Sequence, residues 1–447
     1  MTVMSITTLK IRLAAVLALF LAVLPVHAQE ATLKKLNAQA VDLYRQAKYV
    51  EAVRVAQDAL KTAEKTFGSS HREVATALSN LAEYQRAQGN YAEAESLLKR
   101  ALAIDQKLLG TNHPDVAIDL NNLALLYDSS GRHSDAEPVY TRALEIDQKM
   151  LGPDHPDVAT DLNNLAEAYR AQGKLTQAAP LYRRALVIWD KSPGLYARSI
   201  ATTLDNLGAL TATQGQHAEA EKLLTRALEI WRKTVRPDHP SLVATLRQLG
   251  SVQVSLREYS KAEASFSQAL AIDEKARDKN NKQLAKDLSN LGLVLFLEQK
   301  YLAAEPPLKR AVALDEAVYG KEHVTVASAL NNLAEVYRAL GKYSTAEPLY
   351  RRALLIDETV LGPDHPDVAN DLNNLGALYF SEGRHTDAEP MLKRALAIKE
   401  AALDPDDPQL LQILDNYAVA LRALDRGGEA EFIEARAKKI RAKSTAP

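Results

Sequence analysis

The chain has 447 residues, 47% hydrophobic and 25% charged, which is long enough for a sizeable core and too apolar for a disordered polymer. A formal net charge of −2 excludes the basic excess that nucleic-acid binding normally requires, so no nucleic-acid partner is expected. With no cysteine, disulfides, thiolate metal sites and thiol catalysis are all excluded.

The first predicted element is a targeting segment. Lys10 and Arg12 precede an apolar run from Leu13 to Pro25, and Val26-His27-Ala28 sets small residues at the −3 and −1 positions. This pattern predicts a secretory signal peptide over residues 1–28, cleaved after Ala28. The run is shorter than the roughly 20 residues of a membrane helix, so no integral span is expected after cleavage. A bacterial periplasm, or full secretion, is the expected destination. No cysteine follows the cleavage site, which excludes a lipoprotein.

Residues 33–447 then read as one array. Leu36, Leu78, Leu120, Leu162, Leu204, Leu246, Leu288, Leu330, Leu372 and Leu414 fall at constant intervals of 42 residues. A fixed period of this size marks a repeat architecture of ten units, the last partial and capping. Each unit predicts two helices. In the fourth, Leu162, Leu165, Ala166 and Tyr169 form one apolar stripe at helical spacing, ended by Gly173. A second helix carries Ala178, Leu181, Tyr182, Ala185 and Ile188. Its start is expected at capping boxes, such as Ser134 with Glu137, Ser344 with Glu347 and Thr386 with Glu389. Three positions stay small in every unit, represented by Ala166, Ala178 and Ala185, so two helix backbones must approach closely there. The end units depart from the pattern: Ala47 replaces the turn glycine, and Glu434 and Lys438 replace apolar residues, as the polar ends of a solenoid require.

The order leucine, leucine, small, tyrosine, alanine, aromatic or leucine, alanine resembles the tetratricopeptide repeat. The 42-residue period and linkers such as "LGPDHPDVA" resemble the kinesin-light-chain type. The resemblance implies an all-α fold: a right-handed superhelical solenoid of about ten helix-turn-helix repeats, with a concave groove that holds peptides. Motor transport is not implied.

No catalytic residue, cofactor or metal ligand is expected. After Ala28 there remain 447 − 28 = 419 residues, and ten units of 42 occupy all of them. Phosphate-loop, dinucleotide, zinc-protease and nucleophile-elbow motifs are absent. His71, His113, His155, His239, His323 and His365 recur once per unit, too far apart to converge on a metal, and are expected to shape the linker. Trp189 and Trp231 stand where other units have Asp105, Asp147 and Asp357. They mark either a local contact patch or packing under an altered loop.

Helical geometry separates two faces of each first helix, and the resemblance implies that the one opposite the buried face lines the groove. With the leading leucine as position 4, positions 4, 7, 8 and 11 are buried and positions 2, 6, 9 and 13 face the opposite side. Position 6 reads Asn80, Asn122, Asn164, Asn206, Gln248, Asn290, Asn332, Asn374 and Asn416. Asparagine inside a helix is worse than alanine by roughly half a kcal/mol, so its recurrence needs a reason. An amide can both donate to and accept from the backbone of an extended peptide, and the resemblance implies this ladder; the same amides could instead brace the repeats. Arg86, Arg170 and Arg338 at position 12 stand three residues after Glu83, Glu167 and Glu335, and either meet a ligand or pair within their helix. Phe296 and Phe380 are expected at the groove edge. The expected partner is a protein or peptide ligand in the groove of a non-enzymatic scaffold. The alternative is a structural subunit docking its neighbours in an envelope complex through its ends or outer face.

Overall fold

The computed structural model describes residues 29–275 and 281–444; the signal peptide predicted over 1–28 lies outside the described residues. All regular structure among the described residues is helical. The chain divides into two compact units, Met1–Thr211 and Ala212–Pro447. The first contains α1 (residues 29–45), α2 (Tyr49–Phe67), α3 (Arg72–Ala87), α4 (Tyr91–Leu109), α5 (Pro114–Ser129), α6 (His133–Met150), α7 (Pro156–Ala171), α8 (Leu175–Trp189) and nearly all of α9 (Pro193–Thr213). The second contains α10 (His217–Thr234), α11 (Pro240–Ser255), α12 (Tyr259–Asp273), α13 (Asn281–Leu297), α14 (Tyr301–Tyr319), α15 (Val324–Ala339), α16 (Tyr343–Leu361), α17 (Pro366–Ser381), α18 (His385–Ala402), α19 (Leu411–Ala423) and α20 (Gly427–Ser444). Within each unit an odd helix pairs with the even helix that follows it, from α3 with α4 to α7 with α8 in the first and from α11 with α12 to α19 with α20 in the second. Even helices also pack on the following odd one, as α2 on α3, α4 on α5 and α16 on α17 do, and odd helices of successive repeats touch, as α3 with α5 and α15 with α17 do. The chain is an all-α repeat solenoid.

The small positions are where the helices close. Ala166, Ala178 and Ala185 are completely buried, and so are their counterparts Ala334, Ala346 and Ala353. A Cβ on Gly250 would lie 2.8 Å from the Phe266 ring, and one on Gly376 would lie 2.7 Å from Leu392. The opposing large side chain therefore occupies the space that an alanine methyl would need.

The turn inside each repeat demands a left-handed residue. Gly89, Gly131, Gly173, Gly215, Gly341 and Gly383 have positive φ. Four repeats impose the same conformation on residues with a Cβ: Ala47, Arg257, Gln299 and Asp425. The turn is thus dictated by packing of the flanking helices, and glycine eases it without being essential.

Helix starts differ from the expectation. Even helices begin after Arg132, Lys342 and Arg384, none of which makes a side-chain capping bond. Ser134, Ser344 and Thr386 lie one residue inside the first turn, so the predicted capping boxes do not form. The capping side chain belongs to the odd helices, and it is the recurrent histidine. His71, His113, His155, His239, His323 and His365 are each the residue before an odd helix, and each accepts a hydrogen bond at Nδ1 from the backbone amide two residues on. Proline follows four of them as the first helical residue, where its missing amide loses nothing.

Ion pairs join consecutive repeats along the even helices. Arg100 reaches Glu64 at 2.5 Å, while Arg352 and Arg394 reach Glu316 and Glu358 at 2.6 Å, each pair 36 residues apart. Arg352 and Arg394 also donate to the linker carbonyls of Lys321 and Pro363. Trp189 and Trp231 are core residues, 2% and 5% exposed, which excludes the contact-patch reading. Trp189 stacks on Tyr196, where α9 is kinked, and Trp231 stacks on His239.

Candidate functional site

The repeated Asn-Asn pair of the odd helices puts two amides one residue, or about 100°, apart, and the structure gives them different work. The first of the pair, at position 5, points at the next repeat. Asn121 donates to Asp161 Oδ1 and Asn331 to Asp371 Oδ1, both at 2.5 Å, and Asn163 accepts from the Thr203 hydroxyl at 2.7 Å. The second, at position 6, is the sequence-predicted ladder. Asn332 is exposed, and Asn80, Asn122, Asn164, Asn206, Gln248, Asn290, Asn374 and Asn416 are half-buried. Asn206 donates to Glu167, and Asn416 donates to Asn373 at 2.9 Å. Among the described residues, Asn80, Asn122, Asn164, Asn290, Asn332 and Asn374 form no side-chain hydrogen bond.

In the first unit the structure brings Asn80, Glu83, Arg86, Asn122 and Leu125 together around a cavity of about 340 Å³. The arginines do not approach it as free cations. Arg86 donates to Glu83 at 2.8 and 2.7 Å and to the Ser129 hydroxyl of the next repeat at 3.0 Å. Arg170 donates to Glu167 at 2.7 Å, and Arg338 to Glu335 at 3.0 Å and Ser381 at 3.2 Å. Glu83 and Glu335 are held further by tyrosines: half-buried Tyr44 donates to the first at 2.7 Å and buried Tyr350 to the second at 2.6 Å. Burial pushes both carboxyls up, but the hydrogen bonds from arginine and tyrosine outweigh it and hold them below the usual carboxylate range. These triads present a fixed polar surface rather than loose charges. Phe296 and Phe380 are half-buried and pack at helix ends, against Tyr301 and His385 at ring-centre distances of 5.4 and 4.8 Å.

Beneath the ladder lies a set of buried acids that sequence reasoning missed. Asp105 meets Asp119, Asp147 meets Asp161, Asp273 meets Asp287 and Asp357 meets Asp371. Each pair joins the end of an even helix to the start of the next odd one. Asp119, Asp161 and Asp371 are only 5%, 1% and 1% exposed. Burial, with the facing carboxyl, pushes all three up to about 7. Below about pH 7 these three pairs therefore hold a shared proton. The recurrence of aspartate at offsets of 14 residues across the linker was the available sequence signal, but acids at helix ends ordinarily face solvent. No group of three or more histidine, aspartate or glutamate side chains among the described residues is arranged to hold a metal ion, and no described helix is long and apolar enough to cross a membrane.

Known proteins carry the same architecture. No curated protein matches the sequence. Among solved structures, BtubC from P. vanneervenii is 27% identical over 53% of this chain and 94% of its own, with a TM-score of 0.43. A putative kinesin light chain from Podospora anserina, with nearly identical repeats, is 28% identical over 46% of this chain and 97% of its own, at 0.41. The apo form of RapI is 16% identical but covers 83% of this chain and 99% of its own, at 0.59, which shows likeness of fold. The tetratricopeptide repeat pattern itself matches residues 31–107, 73–149, 139–191, 199–275, 284–358, 325–401 and 372–443. With matches running through nearly the whole array, this chain belongs to the tetratricopeptide repeat family.

Proposed function

We propose that the chain is a non-enzymatic scaffold that holds an extended peptide, or an extended segment of a partner protein, along the position-6 amides of its odd helices. One observation carries this reading. The position-5 amides and the buried carboxyls already brace the repeats, so the six position-6 amides left without intramolecular partners, Asn80, Asn122, Asn164, Asn290, Asn332 and Asn374, are not needed for that task. Each presents a donor and an acceptor to a passing peptide backbone. The Glu83–Arg86 and Glu335–Arg338 triads and the apolar Leu125 then vary the chemistry from repeat to repeat, which supports selection among peptides.

The test is binding of a random peptide library to the full-length chain and to a variant with Asn122, Asn164, Asn332 and Asn374 changed to alanine. Loss of binding with unchanged helicity and melting is the expected result. Equal binding by both proteins would move the ligand to another surface and favour a structural subunit in an envelope complex. Export to the periplasm or beyond belongs to the same proposal and is supported by the pattern of residues 10–28. A fusion of residues 1–28 to a reporter active only outside the cytoplasm should be active; an inactive fusion would place the scaffold elsewhere.

A further inference from the structure

The four carboxyl pairs are not finished in the same way. In two of them the preceding repeat supplies an amide at position 5: Asn121 for Asp161 and Asn331 for Asp371. In a third it supplies a guanidinium. Arg247 donates through Nε to Asp287 Oδ1 at 2.6 Å and through Nη2 to Asp287 Oδ2 at 2.7 Å, and also reaches Asp273. The fourth pair, Asp105–Asp119, lies four repeats earlier in register, and position 5 there is Ser79, whose hydroxyl stands 3.5 Å from Asp119 Oδ1. The short side chain leaves a cavity of about 260 Å³, whose lining includes Thr76, Ser79, Asn80, Asp105, Asp119 and Asn122. Asp105 and Asp119 are 7% and 5% exposed, and both line this cavity beside Arg72; Asp105 Oδ1 and Asp119 Oδ2 have no partner outside the pair, as the matching oxygens of Asp147–Asp161 and Asp357–Asp371 have none.

We propose that the Asp105–Asp119 pair is a subsite for the guanidinium of an arginine in the bound peptide, placed as Arg247 is placed on Asp273–Asp287. Asn80 and Asn122 line both this cavity and the neighbouring cavity of the amide ladder, so a peptide on the ladder can drop one side chain into it. The inference rests on that reading of the ladder. The recognised chemistry is a planar cation with donors matched to two carboxylates, worth more than a neutral hydrogen bond.

Binding there exchanges one cation for another. Below about pH 7 the free pair holds one shared proton and one negative charge; with guanidinium bound, the proton leaves to solvent and both carboxylates are ionised. Other charges facing the pair are the Arg72–Asp115 ion pair, from α3 and α5, and His113 at the start of α5. Burial, then the facing Asp105, pushes Asp119 up to about 7. Ligand and proton therefore compete, and arginine affinity should fall by about tenfold per pH unit below that value.

The test is calorimetric titration of the full-length chain with acetyl-Gly-Gly-Arg-Gly-Gly-amide and with its citrulline twin, which has the same shape and no charge. At pH 8 the arginine peptide should bind at least about tenfold more tightly, the gain of a charge-assisted pair. At pH 6 the preference should shrink, with about one proton released per peptide bound, as read from buffers of different ionisation enthalpy. Asp119→Asn should erase the preference. So should Ser79→Arg, which supplies the guanidinium from within as Arg247 does, and whose retained melting temperature separates occupation from unfolding. Equal binding of the two peptides, no binding of either, or an unchanged preference in both variants overturns the subsite. If equal binding is still lost in a variant with Asn80 and Asn122 changed to alanine, the ladder reading stands and only the subsite falls. If an arginine preference depends on Asp119 but not on those two asparagines, the subsite stands and the ladder reading falls.

Discussion

Asn121 donates its side-chain amide to the buried carboxylate of Asp161, one repeat further on, at 2.5 Å, and so binds the third repeat to the fourth. Its neighbour Asn122 makes no such bond and lines the cavities of the amide ladder. Two identical residues, adjacent in sequence, divide bracing from presentation because a helix turns 100° between them.

Their alanine variants should therefore behave oppositely. Asn121→Ala leaves Asp161 Oδ1 without its donor and should cost about 1–3 kcal/mol, the penalty of an unsatisfied buried polar group. Asn122→Ala should keep stability within about 0.5 kcal/mol, or raise it slightly, because alanine is the better helix former. Thermal melting of the two variants side by side decides between these outcomes; equal losses would make both amides braces.

The carboxyl pairs should give the fold an acidic stability optimum. Asp119, Asp161 and Asp371 titrate near 7 when folded and near 4 when unfolded. A raised value favours the folded state most below the unfolded value, and that advantage is lost as pH rises through about 7. Glu83 and Glu335 are shifted the other way, and the stability they add is lost as pH falls through their depressed values, below the ordinary carboxylate range. Melting temperature should thus peak near pH 4 to 5 and decline until about pH 7, where the loss is complete. Asp161→Asn, which can donate to Asp147 without a shared proton, should raise the melting temperature at pH 8 and change it little at pH 5. A variant with the parent's pH profile would show that Asp161 is ionised throughout.

The strained turns offer a gain in stability. Arg257 and Gln299 hold φ of 60° and 61°, in a conformation that costs a residue with a Cβ roughly 1–2 kcal/mol. Arg257→Gly and Gln299→Gly should each stabilise by a part of that amount, reduced by the greater freedom of glycine in the unfolded chain. Gly173→Ala, at the same turn in another repeat, should destabilise. Chemical denaturation of the three variants measures the signs directly.

The histidine caps should be replaceable by residues that accept at the same place. His155→Ala removes the acceptor for the Asp157 amide and should cost about 1 kcal/mol, whereas His155→Asp should restore most of the loss. Equal losses in both would assign the histidine to packing instead.

Much of the architecture was legible before any coordinates. The constant period of 42 residues set the number and phase of the helices, because a repeat that buries its face on identical neighbours must keep one register. Small residues at three fixed places marked the close contacts, and Gly173 marked a left-handed turn. The helix caps were misread: Ser134 and Glu137 match a capping box locally, but the chain enters α6 two residues earlier than that box requires.

What the periodicity alone determined was which face of each helix is buried, since hydrophobic spacing maps directly onto angle around an axis. It could not assign the task of each polar residue, because a polar side chain's role depends on what a neighbouring repeat places against it. Only tertiary structure brought Asp105 to Asp119 across a linker, turned Asn121 towards Asp161, and set Arg247 where Ser79 stands four repeats earlier. Those contacts are made between helices that are distant along the chain, and their partners are chosen by packing rather than by any local preference.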